Sequence, residues 1–125
     1  MKEVLLVMFG GAVGSGLRYW VGTMLPVAQG TFPVPTFLVN VLGSFILGGI
    51  VGATSLPSPL SRNATLLLGT GLCGGFTTYS AFAIESVSLF EGGNVLVAGT
   101  YLATTIVCCM LAAVAGVTLI RFSIQ

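Results

Sequence analysis

Charge is what this 125-residue sequence has least of. Charged side chains make up 6% of it, against roughly 25% in a soluble domain. All of them can be named: Lys2, Glu3, Arg18, Arg62, Glu85, Glu91 and Arg121. So few charges do not cover a water-facing surface, and a soluble globular fold is excluded. Histidine and aspartate are absent altogether. No nucleophile–base pair and no metal-ligand cluster stands in the sequence, so an enzyme is not expected. The formal net charge of +1 leaves no basic footprint for nucleic acid. Cysteine is scarce too. Cys73, Cys108 and Cys109 all lie in apolar segments, and an odd number there argues against a disulfide framework. They read as small packing residues.

What is present is apolar. Hydrophobic residues reach 55% and the mean hydropathy is +1.08. The expected fold is all-α, a single membrane domain over 1–125 with four spans at about 4–25, 36–56, 63–90 and 95–122. Pro26, Pro33 and Pro35 bracket the first loop, Leu-Pro-Ser-Pro at 56–59 the second, and Glu-Gly-Gly-Asn at 91–94 the third. Each span reaches the roughly 20 residues that cross a bilayer. The third and fourth are longer, which calls for tilt or a break. The apolar run from Val4 is too long for a signal-peptide core, so a secretory signal is not expected. Four spans put both termini and the 56–62 loop on one side, with Lys2, Arg62 and Arg121. Arg18 lies toward the other. That bias places the termini in the cytoplasm, and it is small enough to leave insertion in both orientations open.

Eighteen glycines are the second abundance. Gly10/Gly14, Gly48/Gly52 and Gly71/Gly75 are each four apart, the spacing that lets helices approach closely in lipid. Four helices enclose little interior, so polar function in such a chain points to an oligomer.

Polar side chains inside the spans need partners. Asn40 reads either as interhelical glue or as part of a polar stripe with Thr36 and Ser44, at i−4 and i+4. Tyr101, Thr105 and Cys109 form a similar stripe on the fourth span. It reads either as backbone-bonded hydroxyls or as the lining of a path. Arg18 and Glu85 read as structural or vestibule residues. The weakest helical sequence is Leu72-Cys-Gly-Gly-Phe-Thr-Thr-Tyr-Ser80, inside the third span. Glycines and hydroxyl residues loosen a helix, and lipid tolerates loosened backbone only where protein or water surrounds it. Breaks of this kind free carbonyls for cations and N–H groups for anions, so 72–80 reads as an ion-handling break. Tyr79 and Phe82 follow it on one face, and they read either as ordinary core packing or as positive ring edges that suit a small anion.

Three stretches carry a family resemblance: Gly10-Gly-Ala-Val-Gly-Ser-Gly-Leu-Arg18-Tyr, Val39-Asn40-Val-Leu-Gly-Ser-Phe, and Gly71-Leu-Cys-Gly-Gly-Phe-Thr-Thr-Tyr-Ser-Ala-Phe82. In content and order they resemble the signatures of the Fluc (CrcB) fluoride channels, along the whole chain. The resemblance implies a passive, fluoride-selective channel of a bacterial plasma membrane that exports the ion and lowers its toxicity. It implies a dual-topology chain that pairs antiparallel with itself, its third helix broken near mid-membrane. It further implies that Asn40 is a pore amide, that Tyr79 and Phe82 present ring edges to fluoride, and that Thr36, Tyr101, Thr105 and Cys109 extend the pathway. Backbone carbonyls of Gly74 and Thr77, doubled by a two-fold axis, would hold a structural Na⁺. Two positions depart from the family pattern: Tyr79 stands where Phe is usual, and Cys109 ends a track often built on serine.

Two rival readings follow from the same four spans. A proton-coupled small multidrug exporter would need a carboxylate in a shared cavity, and Glu85 is the only one inside a span. A non-transporting assembly subunit would carry no flux at all.

Overall fold

The computed structural model describes residues 1–123. Among the described residues, four helical runs are long and apolar enough to cross a membrane. α1 is Lys2–Met24 and α2 is Val34–Thr54. The third run, Arg62–Glu91, comes in two pieces: α3 (62–76) and α4 (Tyr79–Glu91). α5 is Val95–Phe122.

Local chemistry sets the ends. α2 starts after Pro33, with Pro35 in its first turn, where a missing N–H costs nothing. Ser61 caps α3 by accepting the Ala64 N–H. The α4–α5 turn uses Gly93 at a φ of 77°, a left-handed conformation open to glycine. Within α3, Thr65–Cys73 is wound in the wider π form, and the Gly74 N–H reaches back to the Gly69 carbonyl.

Two backbone-to-backbone seams hold the bundle. α1 lies on α3, where a Cβ added at Gly10 would overlap the Leu67 carbonyl oxygen, and one at Gly14 the Leu72 oxygen. The approach is reciprocal, because a Cβ at Gly75 would overlap the Gly11 oxygen. α2 lies on α5 in the same manner. Gly48 faces the Ala113 carbonyl and Gly116 the Phe45 carbonyl. All three glycine pairs singled out by spacing stand in these seams; Gly116 joins them.

Toward the α1–α2 loop, aromatic rings pack between α4, α5 and the loop. Phe82 and Tyr101 are buried edge to face with ring centroids 5.1 Å apart. Phe32 from the loop closes on Tyr101 from the other side, also at 5.1 Å. Elsewhere the large apolar side chains face outward: Phe9, Trp20, Leu96, Met110 and Phe122 are all exposed. A surface this apolar belongs in hydrocarbon or against another protein.

Candidate functional site

Helical backbone stops at Thr77 and Thr78, midway along the third run. Thr77 takes φ −80°, ψ 159° and Thr78 takes φ −151°, ψ 115°, both extended. An interruption leaves the last carbonyls of α3 and the first N–H groups of α4 without helical partners. Side chains from two other helices take up part of this backbone. Asn40 on α2 accepts the Thr78 N–H at 2.7 Å through Oδ1 and donates to the Thr78 carbonyl at 3.0 Å through Nδ2. It thus takes both backbone groups of one residue. Arg18 on α1 donates from Nε to the Gly75 carbonyl at 3.0 Å, and Ser15 Oγ reaches the same oxygen at 3.5 Å. A cation there complements the negative end of α3. Thr78 Oγ1 caps α4 by accepting the Ala81 N–H at 3.2 Å.

The Asn40 clamp has a consequence for Gly74. In an unbroken helix the Thr78 N–H would close on the Gly74 carbonyl; here that N–H is spent on Asn40. Gly74 is exposed, with open space where a Cβ would stand. Thr77, by contrast, is tied down on its donor side. Its N–H and its hydroxyl both go to the Cys73 carbonyl, at 3.0 and 2.9 Å. Gly43 on α2 leaves room for it, since a Cβ at Gly43 would overlap the Thr77 methyl.

Beside the break lies a groove of about 260 Å³, open on one side. It brings together Asn40, Tyr79, Phe82, Thr105 and Cys109, residues from three helices. Ser44 and Thr78 also line it. Phe82 is buried at 5% exposure, whereas Tyr79 is 80% exposed, its ring 5.8 Å from that of Phe82. The Thr105 hydroxyl is buried with no hydrogen-bond partner among the described residues. The positive N-terminal end of α4 faces the same space. The groove therefore combines an amide, two aromatic rings, a threonine whose hydroxyl has no partner among the described residues and the start of α4, and its lining carries no formal charge.

Thr36 and Tyr101 stand elsewhere. Neither lines the groove. Their hydroxyls donate to the two oxygens of Glu85, Thr36 to Oε1 and Tyr101 to Oε2, each at 2.7 Å. Charge-assisted bonds of this kind are the strong class. Through the rings of Tyr101 and Phe82 this triad abuts the groove wall. Arg18 and Glu85 do not pair with each other; each also lines an open recess of its own, of about 340 and 590 Å³. Thr78 and Gly43 lie inside stretches that the sequence reading quotes, but it gives neither residue a role of its own. A Thr before Tyr79-Ser-Ala-Phe82 is an N-cap signal, but nothing local marks Gly43, whose role depends on Thr77 across the interface.

Residues 5–117 match the CrcB-like protein, Camphor Resistance (CrcB) family. The chain belongs to this family. Similar proteins carry the name fluoride-specific ion channel FluC. One from Anaeromyxobacter sp. (strain K) is 44% identical over 123 residues, 98% of each chain. One from Rhizobium johnstonii is 42% identical over 122 residues, 97% of this chain and 98% of that one. One from Oceanobacillus iheyensis is 44% identical over 101 residues, 81% of this chain and 78% of that one. With four membrane-crossing helices, this CrcB-family chain is a multi-pass membrane protein.

Proposed function

We propose that this chain forms a fluoride-selective passive channel. The observation that carries the reading is the groove at the α3–α4 interruption, where Asn40, Phe82 and the unpartnered Thr105 hydroxyl converge without a charged side chain. The names of the family's relatives agree. Fluoride is small and strongly hydrated, so a path must replace its water with donors. Neutral donors and ring edges do this without trapping the ion, as a fixed cation would. An inside-negative potential contributes about 2.3 kcal/mol per charge per 100 mV. At about 1.4 kcal/mol per tenfold, that drives a monovalent anion outward by a factor of roughly forty. No proton coupling is then needed for export across a bacterial plasma membrane, and no catalytic step is involved.

The working unit in this reading is an antiparallel, dual-topology homodimer. The groove is open on one side and Tyr79 stands largely exposed beside it, so a second copy would complete the wall. A break in the third span, near mid-membrane, then lies between subunits rather than in lipid, as irregular backbone requires. Neutral carbonyl oxygens are the donors that unwound membrane helices offer to Na⁺. The Gly74 carbonyl, relieved of the Thr78 N–H, fits that role, and Thr77 with its extended backbone supplies the second oxygen. Held between two chains, Na⁺ would supply positive charge to offset two facing helix C-termini. Arg18 and Asn40 act on the protein side of the same junction, by fixing the Gly75 carbonyl and Thr78.

The exporter reading requires a carboxylate free to trade protons for substrate. Both oxygens of Glu85 are engaged, by Thr36 and Tyr101, which favours a structural carboxylate. The deciding experiment is ion efflux from proteoliposomes of purified protein. Rapid fluoride efflux with no chloride efflux and no need for a pH gradient is expected. Equal chloride efflux, or transport that stops without a pH gradient, would remove the fluoride-channel reading.

A further inference from the structure

Phe82 is the buried ring of the groove wall, and its place depends on what stands behind it. Successive ring contacts join Phe37, Phe32, Tyr101, Phe82 and Tyr79, with neighbouring centroids 5.5, 5.1, 5.1 and 5.8 Å apart. The series runs from the α1–α2 loop and the start of α2 to the groove. We propose that Phe32 is a positioning residue for the ion path: from outside the groove, and through Tyr101, it holds the Phe82 ring in the wall. The inference rests on the fluoride-channel reading.

Three observations carry it. First, Tyr101 is fully buried and touches both rings, meeting Phe32 at an interplanar angle of 79° and Phe82 at 62°. Both are edge-to-face contacts, an arrangement that aromatic pairs prefer. Its hydroxyl is tied to Glu85 at 2.7 Å. A ring tethered at its tip can still tilt, so its faces need support, and Phe32 and Phe82 supply it. Second, Phe32 is itself held in place. Thr31 donates both its N–H and its hydroxyl to the Ala28 carbonyl, at 3.2 and 2.7 Å. The Val34 N–H returns to the Phe32 carbonyl at 2.9 Å, and proline fixes the backbone at Pro33. Gly30, at a φ of 76°, lies so close to the α4–α5 turn that a Cβ there would come within 2.9 Å of Asn94 Nδ2. The braced loop packs Phe32 against the buried cluster that contains Tyr101 and Phe82. Third, Phe32 does not line the groove, so its effect on an ion must pass through the rings it touches.

Protein interiors are close-packed, so neighbours feel the loss of a ring. Without the Phe32 ring, Tyr101 gains room to tilt about its bond to Glu85. Phe82 can then follow it away from the groove. The positive ring edge moves back from the path, and the ion loses part of what replaces its water. Fluoride flux falls although Phe32 never meets the ion.

The test uses the full-length protein and two readouts. Fluoride efflux is measured in proteoliposomes. Separately, para-fluorophenylalanine in place of Phe82 alone reports the surroundings of that ring by fluorine NMR. Phe32→Ala should cut efflux per reconstituted protein several-fold and move the fluorine resonance. Phe32→Leu is apolar but has no ring. It should do both to a lesser degree, and it stands in if the alanine variant does not assemble. Phe32→Tyr keeps the ring and should match wild type in both readouts. Phe122→Ala removes an exposed ring at the end of α5 and should change neither. Wild-type efflux in Phe32→Ala overturns the proposal, whether or not the resonance moves. Reduced efflux with an unmoved resonance overturns it too, because Phe32 would then act by another route. So do equal losses in Phe32→Tyr and Phe32→Ala. Failure of both the alanine and the leucine variants to assemble also overturns it, because it makes Phe32 a support of the fold alone. Wild-type protein without fluoride efflux is a different failure. It removes the channel reading and this inference with it, and the wild-type sample alone reveals it.

Discussion

α2 and α5 meet in two different ways along their length. At one end they touch backbone to backbone, with Gly48 on the Ala113 carbonyl and Gly116 on the Phe45 carbonyl. At the other end side chains carry the interactions with α4: Asn40 bonded to Thr78, Thr36 and Tyr101 bonded to Glu85, Phe82 against Tyr101. Lipid gives helices no hydrophobic reason to associate, so the closed end relies on close van der Waals packing. The open end cannot, because an interrupted helix presents unpaired backbone groups that lipid would penalise by several kcal/mol each. Side chains therefore replace the missing helical partners. The closed end omits side chains to gain contact, and the open end, where the groove lies, uses them to replace lost backbone partners.

The largest effect is expected where the closed end is forced apart. A Cβ at Gly116 already overlaps the Phe45 carbonyl, and that backbone has no rotamer with which to yield. Gly116→Val should abolish monodisperse protein on gel filtration. Gly49→Ala, one turn after Phe45 on α2, is the control, because its Cβ would sit 3.6 Å from Ile120 Cγ1, an ordinary contact. Equal yields for the two variants would show that the seam is not what holds α2 to α5.

Next comes the clamp at the open end. Asn40→Asp keeps an acceptor for the Thr78 N–H but loses the donor to the Thr78 carbonyl, and it brings a negative charge beside the groove. Charges interact strongly at low dielectric, so fluoride flux should be nearly lost while the protein still assembles. Asn40→Ala tests the clamp alone. It leaves the Thr78 N–H unpaired, at a cost of about 1–3 kcal/mol, and should lower thermal stability. Wild-type flux in Asn40→Asp would take Asn40 out of the ion path.

The glycine seams are more legible from sequence than the bonds at the interruption. Small residues four apart are a local signal, and Gly10/Gly14, Gly48/Gly52 and Gly71/Gly75 are all contact points. The groove residues Asn40, Tyr79, Phe82, Thr105 and Cys109 are legible as well, because polar or aromatic side chains in apolar helices are conspicuous. Their partners are not. That Asn40 takes both backbone groups of Thr78, or that Glu85 draws in Thr36 and Tyr101, depends on which helix faces stand opposite one another. Periodicity gives the faces but not their pairing. Arg18 illustrates the same limit: its charge is visible in the sequence, but its target, a carbonyl at a helix end 57 residues away, is not.

Phe82 should show a smaller effect on assembly than Asn40→Ala and a large one on flux. Phe82→Ile keeps an apolar side chain of acceptable size but removes the positive ring edge and the contact with Tyr101. Fluoride efflux per reconstituted protein should drop strongly with near-normal yield. Normal efflux at normal yield would reduce Phe82 to packing.

Thr105 gives the smallest expected change in stability and the sharpest separation of the two ends. Its hydroxyl is buried without a partner among the described residues, so replacing it with a methyl group removes no bond and spares the chain a desolvated polar atom. Desolvation of that kind costs about 1–3 kcal/mol by mutational measures. Thr105→Val should therefore leave the melting temperature unchanged or raise it slightly, against the usual direction for a buried Thr→Val change that loses a hydrogen bond. Thr105 lines the groove, so in the channel reading flux should fall all the same. A drop in melting temperature would mean that the hydroxyl has a protein partner in the assembled channel, most simply on a second copy. Unchanged melting together with unchanged flux would mean that the ion does not use it.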